Sequence, residues 1–376
     1  MVNLTGDRLL DKAYKKAEET LDRCDTKHGL YASGGKNGYK GVWSRDSMIT
    51  LIGASTDKDS IYQEQFKKSI ITLGNAQSEK GQIPNAVHGF EDKKKKPLID
   101  FLSIDSTLWW IIGNHIYKKR YNDKSLCRKY KRQLKKAFVW LTYQDMGEDG
   151  MLEQLPTTDW QDAFPHKYGR TLNTQALYYY TLKLTWHRRL LNMLTRNVNW
   201  NKDAGLWNGN YYWAYRWKNH NKYLEIGKWF DSLGNLMAIV FGLANKSQAK
   251  KILRHIEVKR IDKPYPVKAI FPPIKKGDKD WKDYYQDCEA GQPFHYLNGG
   301  IWTYIGGFYV LALIKLKMFK KARQALESLA YSNIKGNCYP EWIDPKTKKT
   351  HGIFQAWSAG TYMWAYNSLK KKKVLL

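Results

Sequence analysis

Residues 157–162 read Thr-Thr-Asp-Trp-Gln-Asp, and residues 339–344 read Tyr-Pro-Glu-Trp-Ile-Asp. Each cluster is a short polar break between apolar stretches of helical period, so both breaks mark loops between helices. Each sets carboxylates beside tryptophan. A sugar ring can stack on such an aromatic wall while an acid sits at its glycosidic oxygen. Two such clusters, far apart in sequence, are what acid/base cleavage of a glycosidic bond requires.

Working outward from the breaks, the pattern is helical almost throughout. Apolar residues recur at helical spacing over 6–24, from Trp43 to about Ser55, and over Ser60–Gln77. The turn signal Thr56-Asp57-Lys58-Asp59 separates the last two, and Gly81-Gln82-Ile83-Pro84-Asn85 reads as a loop. Further helices are expected at Ile104–Arg120, Ser125–Tyr143, Leu172–Leu194, Ser232–Ala244, Ser247–Val258, Gly299–Met318, Lys320–Tyr331 and Gln355–Lys370. Residues 200–217 alternate Trp and Tyr with Gly and Asn, which predicts a short β-hairpin. Residues 262–297 are rich in Pro, Asp and Tyr, and a long irregular stretch in a compact chain is usually functional. About eleven helices result, mostly in pairs, with no shift of composition to mark a boundary. The expected architecture is all-α: one domain over 1–376, a toroid of helical hairpins with its long loops on one face.

Composition narrows the function classes. The 376 residues include 16 Trp and 26 Tyr, more aromatic surface than a core needs. The net charge of +28 admits nucleic acid, anionic membranes or an anionic glycan as partners. The lysines are nevertheless scattered, and the densest runs, 93–96 and 370–373, fall in a loop and in the C-terminal segment. No zinc-finger spacing, RNA-binding aromatic signature or phosphate-binding Gly-rich loop is present, so no dedicated nucleic-acid partner is expected. Cys24, Cys127, Cys288 and Cys338 form no CxxC pair and read as free thiols of a reducing compartment. No signal peptide and no apolar run of about 18 residues is seen, which predicts a cytoplasmic chain without a membrane partner. No cluster of ligating residues has metal spacing, so no metal or cofactor is expected.

Four segments carry a family resemblance: Trp43-Ser44-Arg45-Asp46-Ser47-Met48; Ile104-Asp105-Ser106-Thr107-Leu108-Trp109-Trp110; Asp159-Trp160-Gln161-Asp162-Ala163 with Leu172-Asn173-Thr174-Gln175-Ala176-Leu177-Tyr178; and Tyr339-Pro340-Glu341-Trp342-Ile343-Asp344 with Phe354-Gln355-Ala356-Trp357-Ser358-Ala359-Gly360. In order and spacing they resemble the inverting glycoside hydrolases with an (α/α)6 barrel. The neutral/alkaline invertases are nearest in pattern. The amylo-α-1,6-glucosidase domain of glycogen-debranching enzymes and the glucoamylases are more distant. Asp231-Ser232-Leu233-Gly234-Asn235 and His295-Tyr296-Leu297-Asn298-Gly299-Gly300-Ile301-Trp302 are similar to two further helix starts of the invertases.

The resemblance implies roles, residue by residue. Asp162 falls on the general acid and Glu341 on the general base. Asp159 is the reserve candidate for the acid, or a sugar ligand. Trp43, Arg45, Asp46, Asp105, Trp109, Trp160, His295, Asn298, Trp302, Trp342, Gln355 and Trp357 fall on or beside the positions that line the terminal sugar. Ala163-Phe164-Pro165 replaces the Arg-Arg-Met that follows the acid in many invertases, which weighs against sucrose. The implied activity is inverting cleavage of an α-glucosidic bond in a small oligosaccharide, sucrose-like or an α-1,4/α-1,6-glucan end. The rival readings are an inactive glycan-binding protein, a hydrolase of an anionic glycan and a basic nucleic-acid binder. Oligomeric state is not legible.

Overall fold

The computed structural model describes residues 6–57, 59–92, 94–336 and 338–376. Lys58 of the turn signal, Lys93 of the basic run and the first five residues lie outside these. Among the described residues the helices are α1 (Gly6–Cys24), α2 (Ser44–Ala54), α3 (Ser60–Asn75), α4 (Ile104–Tyr121), α5 (Ser125–Lys129), α6 (Lys131–Thr142), α7 (Leu172–Leu184), α8 (Arg188–Trp200), α9 (Ser232–Phe241), α10 (Lys246–Val258), α11 (Thr303–Lys315), α12 (Phe319–Ile334) and α13 (Ala356–Lys370).

Six of these helices are buried around nearly their whole circumference: α2, α4, α7, α9, α11 and α13. Their sequences are apolar or small on every face, which is how a helix enclosed by other helices reads. Each packs on the next, α2 on α4, α4 on α7, α7 on α9, α9 on α11 and α11 on α13, and α13 returns to α2. Between them run amphipathic helices such as α1, α8, α10 and α12, with charged outer faces. The architecture is helix-rich and agrees with a helical toroid.

Close approach of the inner helices depends on glycine. A Cβ on Gly53 of α2 would stand 2.0 Å from the Gly360 carbonyl oxygen of α13, and one on Gly360 would stand 2.5 Å from Thr50 Cα. On Gly307 of α11 it would meet Thr361 of α13 at 2.6 Å. No side chain fits at these crossings.

Connections at the C-terminal ends of the inner helices are short: 55–59, 122–124, 185–187, 242–245 and 316–318. At their N-terminal ends the chain runs through long segments: 25–43, 76–103, 143–171, 201–231, 259–302 and 335–355. Every segment with a family-like motif therefore opens at the same face as the inner helix N-termini. Small antiparallel sheets brace these loops. One contains Val42–Trp43, Ala86–His88 and Leu98–Asp100, and another contains Arg170–Thr171, Trp213–Asn219, Lys222–Asp231 and Ile270–Phe271.

Three expectations change. The helix expected over Leu172–Leu194 is two helices, α7 and α8, broken at Thr185-Trp186-His187 where the chain reverses. The expected helix Ser125–Tyr143 divides at Tyr130 into α5 and α6. The hairpin expected over 200–217 lies later, at Trp213–Asn219 and Lys222–Asp231, because Asn201 and the turn beyond it first end α8. Residues 262–297 are irregular as expected, with one two-residue strand and two short 3-10 turns.

Candidate active site

Arg45 and Asp46 stand in the first turn of α2, and Asp105 in the first turn of α4. Arg45 Nη1 donates to both Asp105 carboxylate oxygens at 3.0 Å, and its Nη2 lies 3.9 Å from Asp162 Oδ2. Burial works against the charge on Arg45, but Asp105, Asp46 and Asp162 outweigh it and hold the guanidinium protonated. Burial pushes the Asp105 carboxyl up, with Arg45 offsetting part of the rise. Asp46 is pushed up to about 6 by burial, against the pull of Arg45.

Asp162 lies in the loop between α6 and α7. Its side chain keeps about half its surface open to the cleft, yet the enclosing walls raise its carboxyl above the ordinary range, Arg45 partly opposing. The loop itself is pinned by Gln175 of α7, whose side chain accepts from Leu152 N at 3.1 Å and donates to Leu152 O at 2.7 Å. Ile104 N also donates to Thr158 O at 2.8 Å, tying the acid's loop to the start of α4.

Glu341 enters from the loop before α13. Its backbone N–H donates to His351 O at 2.8 Å, and the strand Trp342–Ile343 pairs with Thr350–His351. Tyr39 and Tyr296 both donate to the same oxygen, Oε1, at 3.2 and 3.3 Å. Burial pushes Glu341 up to about 7; the two phenols pull it down, and Asp46 and Asp162 push it further up. Asp162, Asp46 and Glu341 thus form one electrostatic cluster, and Arg45, its nearby cation, is already paired with Asp105.

Aromatic rings wall the cleft. Trp357 stacks on Tyr304 at 4.1 Å, while Trp160 meets Trp302 and Tyr304 edge-on at 5.6 and 5.7 Å. His295 packs on Trp342 at 4.5 Å, and Trp342 stacks on His351 at 4.0 Å. Tyr39 meets Trp43 edge-on. The indole nitrogens of Trp43, Trp160 and Trp357, Arg45 Nε and the Tyr304 hydroxyl are buried without a protein partner among the described residues. Gln355 is the N-cap residue of α13, with its side-chain nitrogen beside Gly352.

Three sequence candidates take other places. Asp159 is fully buried and accepts from Gln161 N, Gln154 Nε2 and the Lys167 ammonium, the last at 3.1 Å. Its oxygens are engaged inside the protein, so it does not present to the cleft. Asn298 is fully buried, clamping Ile274 through both backbone groups at 2.8 and 2.7 Å. Trp109 is 1% exposed and packs edge-on against Phe241 within the ring of inner helices.

Sequence reading missed Lys167, Tyr39 and Tyr296. Lys167 is fully buried between Asp159 and Asp231, 3.1 and 3.0 Å away. Burial works against its charge and the two carboxylates overcome it. Asp231 in turn caps α9 by accepting from Gly234 N. A lone lysine after Pro-His gives no periodic signal. Tyr39 follows a Gly-rich stretch and carries no motif, whereas Tyr296 lies within the segment His295–Trp302 with no signal of its own that marks it as a partner of Glu341.

A family model described as alkaline and neutral invertase matches residues 224–372. Neutral/alkaline invertase 1, mitochondrial, of Oryza sativa subsp. japonica is 26% identical over 319 residues, covering 69% of this chain and 50% of the relative. The chain is a relative of the neutral and alkaline invertases. Alkaline/neutral invertase C, mitochondrial, of Arabidopsis thaliana is likewise 26% identical, covering 70% of this chain and 47% of the relative. The chain therefore spans about half the length of these relatives. Their names place them in mitochondria, so the expected cytoplasmic location finds no support there. Among solved structures, the GH63 mannosylglycerate hydrolase from Thermus thermophilus in complex with glucose superposes with a TM-score of 0.67 at 12% identity, over 94% of this chain and 99% of that one. A rhamnosidase from Klebsiella oxytoca with rhamnose bound gives 0.66 at 14% identity, over 96% of this chain and 64% of that one. These two share the fold with this invertase relative. None of its helices among the described residues is long and apolar enough to cross a membrane.

Proposed function

We propose that this chain is a glycoside hydrolase that cleaves an α-glucosidic bond of a small oligosaccharide with inversion, on an (α/α)6 barrel formed by the six inner helices and their outer partners. The supporting observation is the convergence of Asp162 and Glu341, which stand far apart in the chain, into one charge-coupled, tryptophan-walled cleft. The buried Asp105 fixes the Arg45 guanidinium, whose Nη2 faces Asp162. That guanidinium and Asp46 suit the vicinal hydroxyls of a terminal sugar.

In this reading Asp162 protonates the departing glycosidic oxygen, and Glu341 takes a proton from the water attacking the anomeric carbon on the opposite face. The two phenols on Glu341 Oε1 favour its ionised form and leave Oε2 for the water. The raised carboxyl of Asp162 suits an acid. Trp160, Trp302, Trp342, Trp357, Trp43, His295 and Gln355 complete the sugar's surroundings.

One observation favours a second assignment with the roles exchanged: Glu341, rather than Asp162, is the carboxyl pushed up to about 7. Leaving-group dependence separates the two. α-Glucosyl fluoride departs without an acid, so the acid variant keeps much of its rate on it and the base variant does not. Retention by Asp162→Asn and loss by Glu341→Gln support the first assignment; the reverse supports the exchange. The substrate panel is sucrose, trehalose, maltose, isomaltose, maltotriose and limit dextrin, with the first-formed anomer read by proton NMR. Unchanged sugar release in both variants would end the proposal.

A further inference from the structure

At the face opposite the cleft, where the inner helices end, lies a cavity of about 830 Å³. Its lining carries six cations, Lys118, Lys119, Lys124, Lys183, Arg188 and Lys315, and no Asp or Glu side chain. Helix C-termini attract cations, and Lys118, Lys119, Lys183 and Lys315 stand in last turns. The ends of α4, α7, α9 and α11 supply together only about two negative charges, at roughly half a charge each. Lys119 is further engaged by the Leu376 oxygen at 2.6 Å. A clear excess of positive charge remains, and none of the six pairs with an Asp or Glu side chain among the described residues. Burial, with a smaller contribution from the adjacent Lys183, holds the Lys315 amine below its usual range. The floor is apolar and nearly closed: Tyr180 and Phe241, 5% and 1% exposed, stack on each other there at 4.5 Å. At the rim, Trp186 is 75% exposed with Arg188 over its ring.

We propose that this cavity is a binding site for an organic polyanion, a nucleotide-like molecule whose phosphates meet the lysines and whose flat body lies against the exposed Trp186 ring at the rim. The size is that of a small-molecule site. The rim can deliver charge-assisted hydrogen bonds from several directions, and aromatic faces accept a planar ring.

The test is calorimetric titration of the full chain with ATP, tripolyphosphate and adenosine at low salt. ATP is expected to bind saturably at one site, at least tenfold tighter than either fragment. Lys183→Glu with Lys315→Glu should weaken ATP at least tenfold, and Lys118→Glu with Lys124→Glu should do the same from the other side. The control, Lys131→Glu with Lys135→Glu on the outer helix α6, makes the same charge change and should stay within twofold. Thermal melts within 2 °C of the parent confirm that the variants fold. Absence of saturable ATP binding would overturn the proposal, as would equal weakening in the control pair, which would mean general surface charge. Tripolyphosphate or adenosine binding as tightly as ATP would also overturn it.

Discussion

Replacing Glu341 by Gln should abolish turnover and at the same time stabilise the protein, but only at alkaline pH. The carboxyl moves from an ordinary value near 4.5 to about 7, chiefly through burial. A native-state value above the unfolded one means that folding favours the protonated form. That contribution is full below about pH 4.5 and is lost as the pH rises through 7. A rise of this size corresponds to about 3 kcal/mol at most, and to roughly 2 after allowing for the solvent that reaches a partly open cleft. Gln is neutral throughout and still accepts from Tyr39 and Tyr296. The variant should therefore match the parent near pH 5 and exceed it by about 2 kcal/mol at pH 8.5. For a chain of this length the unfolding entropy is about 0.8 kcal/mol/K, so the gain is about 2–3 °C in Tm. Paired melts at pH 5 and 8.5 read it directly. An offset independent of pH would refute the premise that Glu341 carries a strained charge.

Lys167→Met should cost about 3–5 kcal/mol at pH 7.5 in urea unfolding, because it leaves Asp159 and Asp231 buried without their cation; a loss below 1 kcal/mol would show that the cluster is not holding the loop. Tyr39→Phe removes one donor to Glu341 Oε1 and so raises that carboxyl further. The acidic limb of its pH–rate profile should shift to higher pH with a several-fold fall in kcat, whereas an unchanged limb would mean that the contact does not tune the base. Gly53→Ala gains about 1 kcal/mol in helix propensity yet forces a Cβ to 2.0 Å from the Gly360 carbonyl. Overpacking at a backbone contact should win, leaving a net loss of about 2 kcal/mol in denaturant unfolding, and a stabilised variant would contradict the packing described here.

Helical period, turn residues and the order of motifs were enough to place most helices and to single out Asp162 and Glu341, because those signals are local. The sequence also marked the long polar connections, and the fold gathers them at the N-terminal ends of the inner helices. It did not reveal the break at Thr185-Trp186-His187, since apolar residues continue through a reversal that only packing imposes. The motif order ranked Asp162 ahead of Asp159 but gave no physical ground for it, because the two stand three residues apart in one polar segment. The fold gives Asp159 a buried lysine from beyond the next turn and leaves Asp162 open to the cleft.

Residue identity alone determined which groups could carry charge, stack or turn the chain. Tertiary structure decided their environment. Two tyrosines from distant segments meet on one oxygen of Glu341, and the inner helices bring six cations to one cavity at their C-terminal face while carboxylates meet at the other face. The physical reason is that desolvation and Coulomb coupling depend on distance in space, which a linear pattern does not encode.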